Sequence, residues 1–202
     1  MEHGTGDYYG KYYPIIEKTE KIIVGEIESL ISEITPDPEF SPAEHIGSRI
    51  KSPESISEKL ISKGLSPDIE TAVNNIYDII GIRIVTHFVG DVYTVLKKLE
   101  SSSLWETVKI KDYISDSKPN GYRSLHMIIG IPDRDFAAGR IFAEIQIRTV
   151  AMDTWASLEH QLRYKKNIKN TELIANELKR CADELASTDL SMQTIREMIQ
   201  GD

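Results

Sequence analysis

Hydrophobic residues recur with a helical period near the start of the chain. Over residues 8–34, isoleucine and leucine return at helical spacing with glutamate and lysine between them, which predicts an amphipathic helix. The prolines within residues 35–42 predict a loop, because proline restricts its own backbone and that of the residue before it. Ser52-Pro53-Glu54 predicts a helix start, Gly64 marks its end, and a short helix is expected over residues 69–77.

The middle of the chain changes to a period of two. β-Branched residues predict strands over residues 79–88, 105–114, 123–131 and 140–149. A helix is expected at residues 91–101, between the first two of these strands. The dipeptide Asn120-Gly121 predicts a turn between the second and the third.

The helical period returns after residue 149. Trp155, Leu158 and Leu162 share one side of this helix, and we expect them to pack against the sheet. A further apolar stripe predicts a long C-terminal helix over residues 171–200.

The pattern as a whole predicts an α+β fold. A mixed, mainly antiparallel sheet of about five strands is flanked by helices, and further helices lie at the N- and C-terminal ends. One compact unit in three parts is expected: residues 1–40 as an N-terminal helix and linker, residues 41–166 as the central domain, and residues 167–202 as a C-terminal helical extension.

Composition excludes several classes of protein. The 202 residues carry a formal net charge of −8, so a wholly basic nucleic-acid-binding surface is not expected, although a local basic groove is compatible with this charge. No apolar run is long enough for a membrane span, and the N-terminus lacks a secretory pattern, so a cytoplasmic location without membrane association is expected. A single cysteine, Cys181, excludes an intrachain disulfide and a cysteine-rich zinc site.

Polar side chains interrupt three of the predicted strands. They are Arg49 and Lys51 on a short strand at residues 48–51, Arg83 with Asp78 just upstream of it, and Glu144, Gln146 and Arg148 on the last strand. Alternate residues of a strand point to the same face, so each group lies together. For any single strand, a solvent-facing side of an antiparallel sheet explains the pattern. Three such strands in one small sheet favour a functional concavity.

The residue types of this concavity indicate a nucleotide and metal site. The cations of these strands and of the segments near them are Arg49, Lys51, Lys59, Lys63, Arg83, Lys118, Arg123 and Arg148. Arginine binds phosphate with a planar fork and stacks on flat rings, whereas lysine supplies a point charge. Asp78 and Glu144 are oxygen donors of the kind that Mg²⁺ accepts together with substrate phosphates. The glycine-rich phosphate loop of P-loop enzymes is absent from the sequence.

Five stretches of the sequence resemble the synthetase domain of RelA/SpoT-type enzymes. They are residues 48–56 (SRIKSPESI), 78–84 (DIIGIRI), 112–114 with 118–126 (DYI and KPNGYRSLH), 144–149 (EIQIRT) and 155–160 (WASLEH). They occur in order over about residues 45–165. In length, the chain resembles the stand-alone small alarmone synthetases of the RelP and RelQ type. The resemblance implies a nucleotidyltransferase-like synthetase fold for the central domain.

The resemblance also implies an activity. Enzymes of this family transfer the pyrophosphate of ATP to the ribose 3′-hydroxyl of GDP or GTP and so make the stringent-response alarmones ppGpp and pppGpp. It implies that Arg49 and Arg83 hold the adenine of ATP between them, which suits a planar guanidinium. The residues implied for the ATP phosphates are Lys51, Ser55, Lys59 and Lys63. Asp78 is implied as a ligand of the Mg²⁺ cofactor.

The same resemblance implies an acceptor site for GDP or GTP. Tyr122 is expected to stack on the guanine, and Glu144 is the candidate that activates the 3′-hydroxyl and also contacts the metal. The other acceptor-binding residues implied are Lys118, Asn120, Arg123, His126, Gln146 and Arg148. The catalytic set is therefore Asp78 and Glu144, and the same two carboxylates are the expected metal ligands.

Assembly and regulation are implied only in part. The family resemblance implies a homotetramer built by the terminal helices, and weak RNA binding as an additional interaction. RelQ-type members bind the pentaphosphate product through a phenylalanine and an asparagine, where this chain has His45 and Asp153, which favours the RelP type. The hydrolase domain of the long family members carries a His-Asp motif, and this sequence has no His-Asp pair, so hydrolysis of the alarmone is not expected.

Two other functions compete with synthesis. A nucleotide- or single-stranded-RNA-binding regulator would keep the pocket without turnover, but it would not need the metal-binding and base groups Asp78 and Glu144. A nucleotidyltransferase that releases pyrophosphate would usually carry Gly-Ser with paired aspartates on a strand, and that pattern is not seen.

Overall fold

The computed structural model of the protein describes residues 5–35, 37–134, 136, 139–163 and 171–201. Its helices are α1 (Thr5–Tyr9), α2 (Tyr13–Ser32), α3 (Pro53–Ser62), α4 (Ile69–Asn75), α5 (Val89–Leu99), α6 (Val150–Arg163) and α7 (Thr171–Gln200). Its strands are β1 (Ala43–Ile50), β2 (Ile80–Thr86), β3 (Glu106–Asp112), β4 (Leu125–Pro132) and β5 (Arg140–Thr149). The helices and strands predicted from the sequence are present, with bounds that mostly differ by a few residues, except that the predicted N-terminal helix is divided in two.

The strands form one mixed sheet in the order β1-β2-β5-β4-β3. β2 and β5 run parallel, whereas β1 pairs with β2, β4 with β5 and β3 with β4 in antiparallel fashion. Between the parallel pair the chain passes through α5, β3 and β4, which provide the crossover that parallel strands require. The predicted mixed, mainly antiparallel sheet of about five strands is therefore confirmed.

The sheet has one apolar face, which forms the core. On β5, Ile145 and Ile147 are fully buried and face the helices, while the residues between them point to the opposite side. The other main contributors to this core are Ile80, Ile82 and Ile84 of β2, Ile16, Ile23 and Ile27 of α2, and Val92, Val95 and Leu99 of α5. Each fully buried side chain of this size stabilises the fold by about 1.5–3 kcal/mol. The helices α2 and α5 thus cover one side and leave the other side for polar groups.

The N-terminal helix is interrupted, in contrast to the single helix predicted over residues 8–34. The backbone of Gly10 adopts a φ of 50°, and a short 3₁₀ turn from Gly10 to Tyr12 separates α1 from α2. This break allows the α1 residue Tyr9 to be fully buried, with its hydroxyl donating to the carbonyl oxygen of Lys51 at 2.6 Å. The N-terminal segment therefore supports the backbone at the end of β1, where predicted donor-site residues lie.

Two hydrogen bonds attach helix α7 to α6 and to the end of β5. The indole of Trp155 donates to the carbonyl oxygen of Leu178 at 2.8 Å. The buried hydroxyl of Thr149 donates to Asp189 at 2.5 Å, and burial raises the pKa of that carboxyl. These contacts connect α7 to the end of β5 and to α6.

The expected packing of α6 is only partly correct. Trp155 is buried, as predicted, but Leu158 and Leu162 are 54% and 45% exposed, so the prediction that they pack against the sheet is wrong. The sheet ends near the start of α6, so only the first turns of the helix, at Met152 and Trp155, are covered. The helical period identifies an apolar stripe but carries no information about how far the supporting sheet extends.

Two further sequence predictions concern a domain boundary and membrane-spanning segments. The division between the central domain and the C-terminal extension, at residues 166 and 167, lies outside the described residues. Among the helices that the structure describes, none combines the length and apolar character that a membrane crossing requires.

The loop between β3 and β4 turns sharply at Gly121. Its amide donates to the carbonyl oxygen of Lys118 at 2.8 Å, and its φ is 88°, a left-handed conformation that favours glycine. A Cβ atom at this position would lie 2.6 Å from the Cβ of Ala182 on α7. The predicted Asn-Gly turn is present, and the close approach of α7 is a second reason for glycine.

Replacing Gly121 by alanine is expected to destabilise the protein. The added methyl group meets α7 and the backbone conformation becomes strained, each costing on the order of 1–3 kcal/mol. Urea denaturation measures the change in the free energy of unfolding. Gly25→Ala is the matched control, because Gly25 lies on α2 with open space around it, and alanine there is expected to be neutral or slightly stabilising. Equal stability of the two variants would contradict the close approach of α7.

Candidate active site

The polar face of the sheet contains a cavity of about 220 Å³ over β1, β2 and β5. The residues that line it are His45, Gly47, Ser48, Arg49, Asp78, Gly81, Ile82, Arg83, Glu144 and Gln146. The strand register explains this grouping: Arg49 lies opposite Gly81, and Gly81 lies opposite Glu144. Five of the residues predicted from the sequence therefore line one cavity.

Asp78, just before β2, is held between two lysines. Its carboxylate contacts Lys51 at 2.9 Å and Lys59, on α3, at 2.7 Å. Burial on its own would raise the pKa of Asp78, but the hydrogen bonds and charges of the two lysines outweigh burial and lower it. Asp78 is therefore an ionised carboxylate whose lysine partners are themselves predicted phosphate ligands.

The two predicted adenine-binding arginines lie on adjacent strands of the same face. Gly47 of β1 pairs with Arg83 of β2, which places Arg49 one step further along the same row of side chains. Arg49 is exposed, whereas Arg83 is held by Asp153 of α6 at 3.3 Å. Both arginines line the cavity, and a planar guanidinium group suits stacking on a flat ring.

Four predicted donor-site residues lie outside the cavity lining. Lys51 and Lys59 contact Asp78, which lines it, whereas Ser55 and Lys63 do not. Ser55 is exposed in the first turn of α3, where its amide donates to the capping oxygen of Ser52 at 3.3 Å. Lys63 is exposed at the other end of α3 and donates to the carbonyl oxygen of Asn75 at 3.2 Å. Their roles in ATP binding stay predictions.

The acceptor side of the face is a continuous hydrogen-bond network. His126 on β4 contacts Glu144 at 3.3 Å through Nδ1, and its Nε2 lies 2.8 Å from the hydroxyl of Tyr122. Gln146 donates to Glu144 at 2.7 Å, and Arg148 donates both to Gln146 and, at 2.9 Å, to Tyr122. Five of the predicted acceptor-side residues are thus joined in one ring of contacts.

Glu144 is ionised within this network. Burial on its own would raise the pKa of Glu144, but hydrogen bonds and charge from His126, together with Gln146 and Lys59, outweigh burial and lower the pKa to about 2. A carboxylate in this state accepts hydrogen bonds at neutral pH, as a group that receives a hydroxyl proton must.

Lys118 lies over an aromatic platform. Its ammonium group is 4.6 Å from the ring centres of both Tyr113 and Tyr122. Burial lowers the pKa of Lys118, the neighbouring cations Lys111 and Arg148 lower it further, and Glu144 opposes them. The residues around Tyr122 thus combine a flat ring with a cation, as guanine and phosphate binding would require.

The side chains of Asn120 and Arg123 are engaged in contacts with other residues of the protein. The Asn120 side chain accepts from the amide of Tyr122 at 3.2 Å and donates to Glu159 at 3.4 Å, which fixes the turn. Arg123 pairs with Asp183 of α7 at 3.0 Å instead of joining the Glu144 network. The structure therefore gives Arg123 a contact that braces the loop against α7.

Sequence reasoning did not assign four residues to this face, although it named one of them, Asp153, in connection with product binding in RelQ-type members. Lys109 and Lys111 on β3 pair with Ile128 and His126 of β4, so they extend the polar face beyond the acceptor side. The alternation of lysines in this strand was the available signal. The other two are Tyr113, beneath Lys118, and Asp153, which contacts both Arg83 and Arg148. Their partners are distant in sequence, so spacing alone could not indicate them.

The two predicted metal ligands, Asp78 and Glu144, line the same cavity. Among the described residues, no group of three or more acidic, histidine or cysteine side chains is arranged to hold a metal ion. Two ionised carboxylates facing one space fit a Mg²⁺ ion that takes its remaining ligands from substrate phosphates and water.

The low pKa of Glu144 predicts how stability depends on pH. Because the folded state lowers this pKa from 4.5 to about 2, the ionised carboxylate stabilises the fold above about pH 4.5, and this contribution is lost as the pH falls toward 2. The stability of the native protein relative to Glu144→Gln should decrease over this window. Urea denaturation of both proteins from about pH 2 to 7 measures it, and a difference that stays constant would contradict the low pKa.

Sequence comparison identifies relatives over most of the chain. Residues 48–169 match the profile described as "Region found in RelA / SpoT proteins". The chain is 43% identical over 160 residues to GTP pyrophosphokinase YwaC of Bacillus subtilis, which covers 79% of this chain and 76% of that protein. It is 35% identical over 164 residues to GTP pyrophosphokinase YjbM of the same organism, covering 80% of this chain and 76% of that protein.

Solved structures show the same fold. Small alarmone synthetase 1 of Bacillus subtilis, bound to its product pppGpp, matches with a TM-score of 0.77 at 32% identity and covers 94% of each chain. Small alarmone synthetase 2 of the same organism matches with a TM-score of 0.76 at 38% identity, covering 93% of this chain and 100% of that chain. The chain therefore belongs to the RelA/SpoT family and shares the fold of its small alarmone synthetases.

Proposed function

We propose that this protein is a GTP pyrophosphokinase. It transfers the pyrophosphate group of ATP to the ribose 3′-hydroxyl of GDP or GTP and produces ppGpp or pppGpp together with AMP. The observation that carries this proposal is the single polar face on which Glu144 lies between donor-side cations and the Tyr122 network.

The donor half of the site is suited to ATP. Arg49 and Arg83 line the cavity and offer flat guanidinium groups to the adenine. Lys51 and Lys59, which are paired with Asp78 in this structure, are the cations nearest the cavity that would bind the phosphates of ATP. Phosphate binding would then replace a contact with a carboxylate by a contact with another oxyanion, so neither lysine is left unpaired.

The acceptor half positions the ribose hydroxyl. Tyr122 offers its ring to guanine, and Lys118 lies where it would meet the 5′-phosphates of the acceptor. Glu144 receives the proton of the 3′-hydroxyl as the oxygen attacks the β-phosphorus of ATP. The bond between that phosphorus and the bridging α,β-oxygen breaks, and AMP leaves with the electron pair. His126 and Gln146 hold the carboxylate of Glu144 in place for this transfer.

Mg²⁺ is the proposed cofactor, with Asp78 and Glu144 as its protein ligands. When bound, this ion would neutralise negative charge on the phosphates of ATP. The chemistry of the two carboxylates in one cavity supports this assignment. Cytoplasmic location and weak RNA binding stay predictions of the sequence.

Incubation of the purified protein with ATP, GDP and MgCl₂ tests the proposal, with products separated by anion-exchange chromatography. We expect AMP and ppGpp in equal amounts, and no product when EDTA is added. Glu144→Gln is expected to lower kcat by about 10²–10⁴-fold, because the amide cannot accept the hydroxyl proton.

Glu33→Gln is the matched control for this variant. Glu33 pairs with Lys98 at 2.6 Å, between the end of α2 and α5, on the opposite side of the sheet from the cavity. This control should keep the native rate. Release of pyrophosphate would identify a nucleotidyltransferase instead, and saturable binding of both nucleotides without turnover would identify a regulator.

We also propose that the protein forms the homotetramer implied by its family. The C-terminal half of α7 carries large apolar side chains that a single chain leaves exposed, namely Leu190, Met192, Ile195, Met198 and Ile199. Several large exposed apolar side chains on one helix are typical of an interface, and a second copy of the chain is the proposed occupant.

Light scattering after size-exclusion chromatography should give four times the chain mass of 22.9 kDa. The double variant Ile195→Asp/Ile199→Asp should lower the mass, because each carboxylate would have to be buried at the interface. Asn74→Asp adds one negative charge at an exposed position of α4, away from α7, and should leave the mass unchanged. A native protein that elutes as a monomer would contradict the tetramer.

A further inference from the structure

Asp153 lies where the donor and acceptor halves of the site meet. It is in the first turns of α6, directly after β5, and only 17% of its side chain is exposed. Its Oδ1 atom contacts Arg83 of β2 at 3.3 Å and Arg148 of β5 at 3.2 Å. A single carboxylate oxygen is therefore shared by two guanidinium groups from the parallel strand pair.

The two arginines depend on Asp153 to different degrees. Arg148 has several additional partners, because it also donates to Ser124, Gln146 and Tyr122. Arg83, in contrast, has a buried Nε atom without a hydrogen-bond partner among the described residues. The contact with Asp153 is thus the main restraint on the guanidinium of Arg83 that the structure shows.

We propose that Asp153 is a positioning residue that couples the binding of ATP to the binding of the guanine nucleotide. The proposal rests on the proposed function, because it assigns Arg83 to the ATP side and Arg148 to the acceptor side. Asp153 contacts both arginines and would touch neither substrate, so it acts through them.

The sign of the coupling follows from the shared oxygen. Two guanidinium groups that approach one another repel unless a negative charge lies between them, and Asp153 supplies that charge. Arg83 and Arg148 compete for the Oδ1 atom of Asp153. When the phosphates of the acceptor attract Arg148, Arg148 competes less strongly, and Asp153 then holds Arg83 more firmly. Stacking of adenine on an Arg83 side chain that is already ordered costs less conformational entropy. Each nucleotide therefore raises the affinity of the protein for the other nucleotide.

Isothermal titration calorimetry with the non-hydrolysable analogue AMPCPP tests the proposal. We measure its affinity for the native protein alone and in the presence of saturating GDP, and in the reverse order. The native protein should show a mutual enhancement on the order of tenfold. Asp153→Ala should reduce the enhancement to about onefold, and Asp153→Asn, which keeps an acceptor oxygen but lacks the charge, should reduce it below about threefold.

Steady-state kinetics provide a second readout that a purely structural role would not give. In both variants the KM for ATP at saturating GDP should rise about as much as the coupling falls, while kcat changes less than about threefold, because Glu144 and its partners are retained. Glu33→Gln, which removes a carboxylate from a distant ion pair, should keep native coupling and native KM. Thermal unfolding identifies a variant that fails to fold, and the other variant then decides the outcome.

The possible outcomes separate the two proposals. Native coupling in either folded variant would overturn the role of Asp153, as would a native enzyme that makes product without coupling between its substrates. A native protein that binds both nucleotides but makes no product would overturn the proposed function itself. A fall in coupling that is confined to the Asp153 variants supports the inference.

Discussion

The alternation of side chains along β5 is the constraint on which the rest of the structure depends. Ile145 and Ile147 point into the core under α2 and α5, so Glu144, Gln146 and Arg148 must point to the other side. A shift of one residue in register would bury these charges and expose the isoleucines, at a cost of many kcal/mol. The energy that folds the sheet therefore also fixes the position of the acid and its neighbours.

Neighbouring strands then determine what this row of polar groups faces. The parallel pairing of β2 and β5 brings Arg83 beside Gln146, and the antiparallel pairing of β4 brings His126 beside the same residue. Buried charges are tolerated here because almost every one has a partner: Asp78 has two lysines, and Glu144 has His126 and Gln146. A phosphate that takes the place of Asp78 would keep both lysines paired, which suits the proposed binding and release of polyphosphates.

Much of this fold, and the grouping of Arg49, Asp78, Arg83, Glu144 and Gln146 around one cavity, could be predicted from local sequence patterns. The period of two in β2 and β5 indicates which residues share a face, and the family motifs indicate the function. Contacts between distant residues could not be predicted, because spacing does not show which elements meet: Arg123 contacts α7, Asp153 contacts two strands, and Leu158 extends beyond the sheet. Register was equally invisible, so the sequence did not show that Lys111 lies beside His126.

The central claim is that one face of the sheet holds two nucleotides with Glu144 between them. A crystal structure of the protein with AMPCPP, GDP and MgCl₂ tests this most directly. We expect the adenine between Arg49 and Arg83, and the ribose 3′-hydroxyl of GDP within about 3 Å of a Glu144 carboxylate oxygen. A guanine nucleotide bound with its 3′-hydroxyl away from Glu144, or bound elsewhere on the protein, would contradict it.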